Sequence, residues 1–158
     1  MKHLLSIDDL ERSDVDELME LTDSFVEVSG REIAKVPALR GRTVVSLFYE
    51  DSTRTRISFE TAAKRLSADT MTFGVSGSSA AKGESLRDTV RAIEAMGIDA
   101  VVVRHAGAGA PHRVAGWIEA GVVNAGDGRH EHPTQALLDC YTLLCHRGPS
   151  LDGARVAI

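Results

Sequence analysis

Short runs of apolar, β-branched residues alternate along this chain with amphipathic stretches, and no other feature restricts the fold as strongly. The helical spacing of Val15, Leu18, Met19, Phe25 and Val26 predicts a helix over 13–30, with Ser13 as its cap and Gly30 as its stop. Residues 43–49 read as a buried strand, and 53–66 as a helix that turns Ile57, Phe59, Ala62, Ala63 and Leu66 inward. The pattern then repeats. Strand 70–75 leads through a polar loop, 76–82, to helix 84–96. Strand 100–103 and loop 107–111 follow, with Pro111 opening the next helix. Strand 122–125, loop 126–131 and helix 133–145 complete it. Strands separated by helices pair in parallel, with right-handed crossovers. The expected fold class is therefore α/β: a three-layer domain with a central parallel sheet of about four strands flanked by helices. Leu151-Asp152-Gly153 predicts a turn, and 154–158 the opening of a strand. Residues 1–150 are thus expected to form one domain and 151–158 to start another.

At 158 residues and 43% hydrophobic, the chain has the apolar content to bury one core of ordinary size. A net charge of −5 and a pI near 5.6 argue against a general nucleic-acid binder, which presents a basic face. No apolar run approaches the roughly 20 residues that cross a bilayer. The stretch from Met1 to Asp9 turns acidic too early for a secretory signal. Cys140 and Cys145 make no disulfide framework, so a cytoplasmic location is expected.

The unusual polar residues fall at the carboxyl ends of the predicted strands, the edge at which open α/β sheets bind ligands. Glu50-Asp51-Ser52-Thr53-Arg54-Thr55-Arg56 follows the first strand and opens a helix. Free amides of Thr53, Arg54 and Thr55, hydroxyls of Ser52, Thr53 and Thr55, and the forked charge of Arg54 would make an anion site suited to phosphate. Ser78 and Lys82 sit in the polar loop after the second strand, either as further phosphate donors or as plain surface. Arg104 follows the third strand, at the ligand edge or paired with a nearby carboxylate. Asn124-Ala125-Gly126-Asp127-Gly128 follows the fourth, and His132-Pro133-Thr134-Gln135 opens the next helix. A histidine there can donate to a carbonyl oxygen that gains charge, and Gln135 can read an amide through donor and acceptor together. The spacing of His130 and His132 raises a metal. Glu131 alternates to the other side, however, and both cysteines lie far along the helix, so no metal is expected. Trp117 reads as packing.

Four segments stand in one order and at one set of spacings: Phe48-Tyr49-Glu50-Asp51-Ser52-Thr53-Arg54-Thr55-Arg56, Lys82-Gly83-Glu84-Ser85, Arg104-His105 and His132-Pro133-Thr134-Gln135. Together they resemble the aspartate/ornithine carbamoyltransferase family. The resemblance runs from the first helix to Ile158, but only to that family's N-terminal, carbamoyl-phosphate domain. Glu50 stands where the ornithine enzymes usually carry lysine, and Thr134 where they usually carry cysteine, so the aspartate branch is the closer.

The resemblance implies transfer of the carbamoyl group of carbamoyl phosphate to the amine of L-aspartate, in pyrimidine biosynthesis, without metal or organic cofactor. It implies that Ser52, Thr53, Arg54 and Thr55 hold the phosphate and that Arg104 bridges phosphate and carbonyl oxygen. Thr55, Arg104 and His132 would be catalytic, stabilising the oxyanion, and Gln135 would orient the carbamoyl amide. The equivalents of Ser78 and Lys82 reach into the neighbouring subunit's site, which implies a homotrimer. Glu50 matches the residue that ties the two domains together on closure. A regulatory chain or a dihydroorotase is left open as a further partner; nucleic acid and membrane are not implied. The family's second domain holds the amino acid, so a chain of this length alone is expected to be inactive or weakly active. Two other readings stay open: the same half of an ornithine carbamoyltransferase, and a truncated, non-catalytic phosphate-binding or assembly module.

Overall fold

The computed structural model describes residues 1–74 and 83–157. The chain runs α1 (Arg12–Ser29), β1 (Thr43–Phe48), α2 (Thr53–Arg65), β2 (Asp69–Gly74), α3 (Leu86–Glu94), β3 (Ala100–His105), α4 (Ala110–Ala115), β4 (Gly121–Asp127) and α5 (Pro133–Arg147). The strands form one four-stranded sheet in the order β2-β1-β3-β4, parallel throughout. Helices α3 and α4 pack on one face, and α2 and α5 on the other, which is the expected three-layer α/β arrangement.

The pleat sends alternate residues of each strand to opposite faces. Val45, Leu47, Val101, Val103 and Val122 meet Val90 and Ile93 of α3 and Val114 of α4. On the other face Phe48, Val102 and Ala125 meet Phe59 of α2. Both faces of β1, β3 and β4 are covered, which is why apolar residues predominate in these strands, with Ser46, Asn124 and Asp127 as buried polar residues among them.

Several local expectations fail for physical reasons. Helix α1 begins at Arg12, where the Glu11 amide donates to the Asp14 carboxylate at 2.9 Å; Ser13 lies inside the first turn and does not cap it. No residue of α1 is fully buried: on the predicted apolar face Val15, Leu18, Met19 and Phe25 are half-buried, and Val26 is 55% exposed. Ile57 is likewise 53% exposed, and Ala63 is the buried residue of α2. β3 and β4 run past their predicted ends, to His105 and Asp127. Residues 154–157 form no strand: the Ala154 amide turns back to the Leu151 carbonyl at 2.9 Å, and no neighbour takes up the segment's hydrogen bonds among the described residues. The N-terminus makes a contact that the sequence did not suggest. The Leu4 amide donates to the Val122 carbonyl at 2.9 Å and the Asn124 amide to the Leu4 carbonyl at 2.8 Å, so this segment lies along the outer edge of β4.

Candidate active site

The chain visits β2 on one side of β1 and then crosses to β3 on the other, so the strand order reverses between β1 and β3. Such a reversal leaves a crevice outside the carboxyl ends of the strands. A cleft of about 580 Å³ opens there, with Ser52, Arg54 and Thr55 of the β1–α2 corner on one wall. Arg104 and then His132, Thr134 and Gln135 of α5 complete it.

The α2 wall is a helix N-terminus. Ser52 occupies the cap position in extended backbone, yet its hydroxyl does not cap the helix; it donates to Thr55 Oγ1 at 2.9 Å. The amides of Thr53, Arg54 and Thr55 find no acceptor among the described residues. The first turn therefore offers three N–H donors at the positive end of the helix, next to the Arg54 guanidinium.

The α5 wall is set by a proline. Pro133 excludes its predecessor from the helical region, so His132 (φ −145°, ψ 71°) becomes the cap residue and stays partly buried at the cleft. Its Nδ1 lies 3.3 Å from Thr134 Oγ1. Burial, followed by the positive charge of Arg104, holds the imidazole below its ordinary pKa against a weaker upward pull from Asp139. Both effects favour the neutral form of His132. The Gln135 side chain, at 2.9 Å, donates to Asp139 one turn along the helix.

Arg104 forms the floor. β3 and β4 pair one to one as far as Val103 and Asn124, but the next couple is His105 and Asp127. β4 thus carries one extra residue, and the bulge at Ala125 and Gly126 faces Arg104. Arg104 Nη1 donates to the Ala125 carbonyl at 2.8 Å. Its Nε lies 3.7 Å from Glu50 Oε2 and is buried without a hydrogen-bond partner. Gly126 holds φ +111°, and a Cβ there would stand 2.5 Å from Arg104 Nη1. Only glycine combines that backbone with room for the guanidinium.

Behind the bulge Asp127 is fully buried. It accepts from the Gly109 amide at 2.7 Å, the Glu131 amide at 2.8 Å and Asn124 Nδ2 at 3.2 Å, and pairs with His130 Nδ1 at 3.0 Å. Burial pushes its carboxyl pKa up. The amides of Glu131 and Gly109, helped by Asn124 and His130, outweigh burial and hold it below the ordinary value. Asn124 also donates to the Leu5 carbonyl at 2.9 Å, tying the N-terminal segment to the network. One buried anion thus fixes both the corner after β3 and the loop that delivers His132.

Of the expected site residues, Ser52, Arg54, Thr55, Arg104, His132 and Gln135 share the cleft. Thr53 stands on the same turn, and Glu50 beside Arg104. Ser78 and Lys82 lie outside the described residues. His130 and His132 part company, one turned to Asp127 and the other beside Thr134. Asn124 and Asp127, read as ligand-edge residues, are instead fully buried. The sequence did not mark Ser58, Phe59 and Leu138, which also line the cleft. Their spacing of three or four from Thr55 and Gln135 was the available signal.

Residues 2–144 match the family described as aspartate/ornithine carbamoyltransferase, carbamoyl-P binding domain. The whole chain is 59% identical to an aspartate carbamoyltransferase catalytic subunit of Clavibacter michiganensis, covering 52% of that protein. It is 60% identical over its whole length to the corresponding subunit of Acidothermus cellulolyticus, covering 49% of it. The chain therefore spans about half the length of the curated relatives it matches. Aspartate transcarbamoylase from Trypanosoma cruzi, in complex with carbamoyl phosphate and aspartate, aligns at a TM-score of 0.83 and 36% identity, over 91% of this chain and 47% of that one. The catalytic subunit of the M. Jannaschii enzyme aligns at 0.83 and 40% identity, over 92% and 47%.

Proposed function

Since the chain belongs to the aspartate/ornithine carbamoyltransferase family, we propose that it carries the carbamoyl-phosphate half of an aspartate carbamoyltransferase site. With the amino-acid half, it transfers the carbamoyl group of carbamoyl phosphate to the amine of L-aspartate, giving N-carbamoyl-L-aspartate and phosphate. The observation that carries this reading is the single cleft shared by the first turn of α2, Arg104 and His132.

In this reading the free amides of Thr53, Arg54 and Thr55, the Ser52 hydroxyl and the Arg54 guanidinium hold the phosphate. Arg104 spans the phosphate and the carbonyl oxygen. With the Thr134 hydroxyl donating to Nδ1 of a neutral His132, Nε2 carries the ring hydrogen and donates to that same oxygen. The aspartate amine attacks the carbonyl carbon. Thr55, Arg104 and His132 stabilise the oxyanion of the tetrahedral intermediate, and the C–O bond to phosphate breaks as the carbonyl re-forms, the departing phosphate taking the proton that the amine nitrogen loses. Gln135 leaves Asp139 to orient the carbamoyl amide. Glu50 links the two halves on closure, and Ser78 and Lys82 serve the neighbouring subunit of a homotrimer. Residues 1–150 form the carbamoyl-phosphate domain and 151–158 start the aspartate-binding one. The reaction belongs to cytoplasmic pyrimidine biosynthesis, with a regulatory chain or a dihydroorotase as the further partner to test.

The test is a cold calorimetric titration with carbamoyl phosphate, with inorganic phosphate as comparison. Saturable binding that prefers carbamoyl phosphate, and that falls at least about tenfold in Arg54→Ala, is the expected result. Absence of binding by the folded chain refutes a preformed half-site.

A further inference from the structure

A second cleft, of about 540 Å³, lies on the α3–α4 side of the sheet edge, where Arg87 of α3, His105 at the end of β3, Arg113 of α4 and Trp117 come together. None of its lining residues is acidic, in a protein whose net charge is −5. No carboxylate among the described residues forms an ion pair with Arg87 or Arg113. Two of the three donors are also held in place. His105 Nδ1 accepts from the Gly107 amide at 2.8 Å, which leaves Nε2–H as the ring's donor, and the ring packs at 5.1 Å against Tyr49. The Arg113 guanidinium lies 5.0 Å above the centre of the Trp117 ring. Two guanidinium forks and an imidazole N–H, gathered with no acidic side chain lining the cleft among the described residues, suit an acceptor-rich dianion better than a single carboxylate.

We propose that this cleft is a second anion site, separate from the carbamoyl-phosphate cleft, and that it takes a phosphorylated small molecule whose phosphate sits between Arg87, Arg113 and His105. The inference stands apart from the proposed transferase reaction, because it uses none of that site's residues.

Trp117 is the chain's one tryptophan, so intrinsic fluorescence reports on this cleft directly. The probe is inorganic pyrophosphate, titrated at constant ionic strength. A saturable change in tryptophan emission is expected. Arg87→Ala should raise its midpoint at least about tenfold, and Arg113→Lys should raise it too, because lysine keeps the charge and loses the fork. Both arginines are exposed, so these variants keep the wild-type melting temperature. Arg54→Ala should leave the midpoint unchanged. A response lost in Arg54→Ala and kept in Arg87→Ala assigns the anion to the first cleft and overturns the proposal. So does a response that sodium chloride reproduces, or no saturable response at all. Saturation by an acidic peptide and not by pyrophosphate overturns it in favour of a protein partner.

Discussion

Arg104 owes its place to backbone as much as to side chains. The bulge turns the Ala125 carbonyl towards Nη1, and Gly126 leaves the guanidinium its space. Gly126→Ala should therefore act on the ligand through Arg104. Strain at φ +111° costs about 1–3 kcal/mol, and the displaced guanidinium weakens carbamoyl phosphate at least about tenfold while the chain still folds. Calorimetry beside a circular-dichroism melt separates the two effects. Asp127 makes a different case, because its carboxylate faces donors from every side. In Asp127→Asn the amide turns two hydrogens towards groups that already donate, and the expected loss is about 2–4 kcal/mol. The sign of its pH dependence follows from the lowered pKa. Between the unfolded value of 3.8 and the lower folded one, the unfolded chain binds more protons. The contribution of Asp127 is thus present above that window and disappears as pH falls through it. Urea midpoints measured from neutral to acid pH should show this slope in the wild type and a shallower one in Asp127→Asn.

Individual elements differ in how plainly the sequence announces them. β1 and β3 were legible because helices cover both faces, so Val44, Val45 and Leu47, with one buried serine (Ser46) among them, and Val101 to Val103 make predominantly apolar runs. Their ends were not, since a ladder continues wherever backbone partners exist: His105 and Asp127 remain paired although both are polar. Helix α1 shows the converse. Periodicity says which face is apolar, but not how deeply a neighbour covers it: Val15, Leu18, Met19 and Phe25 are half-buried and Val26 is exposed. The candidate site divides along the same line. Ser52-Thr53-Arg54-Thr55 and His132-Pro133 were readable because a helix start and a proline act locally. The Gly126 contact with Arg104 and the grip of Asp127 on Gly109 join residues distant in sequence, through a bulge that no local pattern encodes. Stability should follow packing and not periodicity. Val103→Ala, at a fully buried position, is expected to cost about 2 kcal/mol, against less than about 0.5 for Val26→Ala. Denaturant unfolding of the two variants, side by side, checks this.

At the scale of the whole molecule, three segments far apart in sequence meet in one cleft only because a parallel sheet ends all its strands on one edge. A ligand that touches the start of α2, the end of β3 and the start of α5 binds the folded chain and has nothing to bind in the unfolded one. Its effect on stability then follows from mass action. At a concentration a hundred times its dissociation constant it adds about 2.7 kcal/mol. With a urea dependence of about 1–3 kcal/mol per molar, that moves the unfolding midpoint up by roughly 1–3 M. The measurement belongs in the cold, because an acyl phosphate hydrolyses on heating. Carbamoyl phosphate should produce the full shift in the wild type and little in Arg54→Ala, whose α2 turn has lost its fork but whose core is untouched. Inorganic phosphate at the same concentration should produce a smaller shift, since it reaches α2 and Arg104 but presents no carbonyl to His132. Equal shifts from the two ligands would mean that the α5 wall takes no part in binding. The cleft would then be a phosphate site alone, and the assignment of His132 and Gln135 to the carbamoyl group would fall.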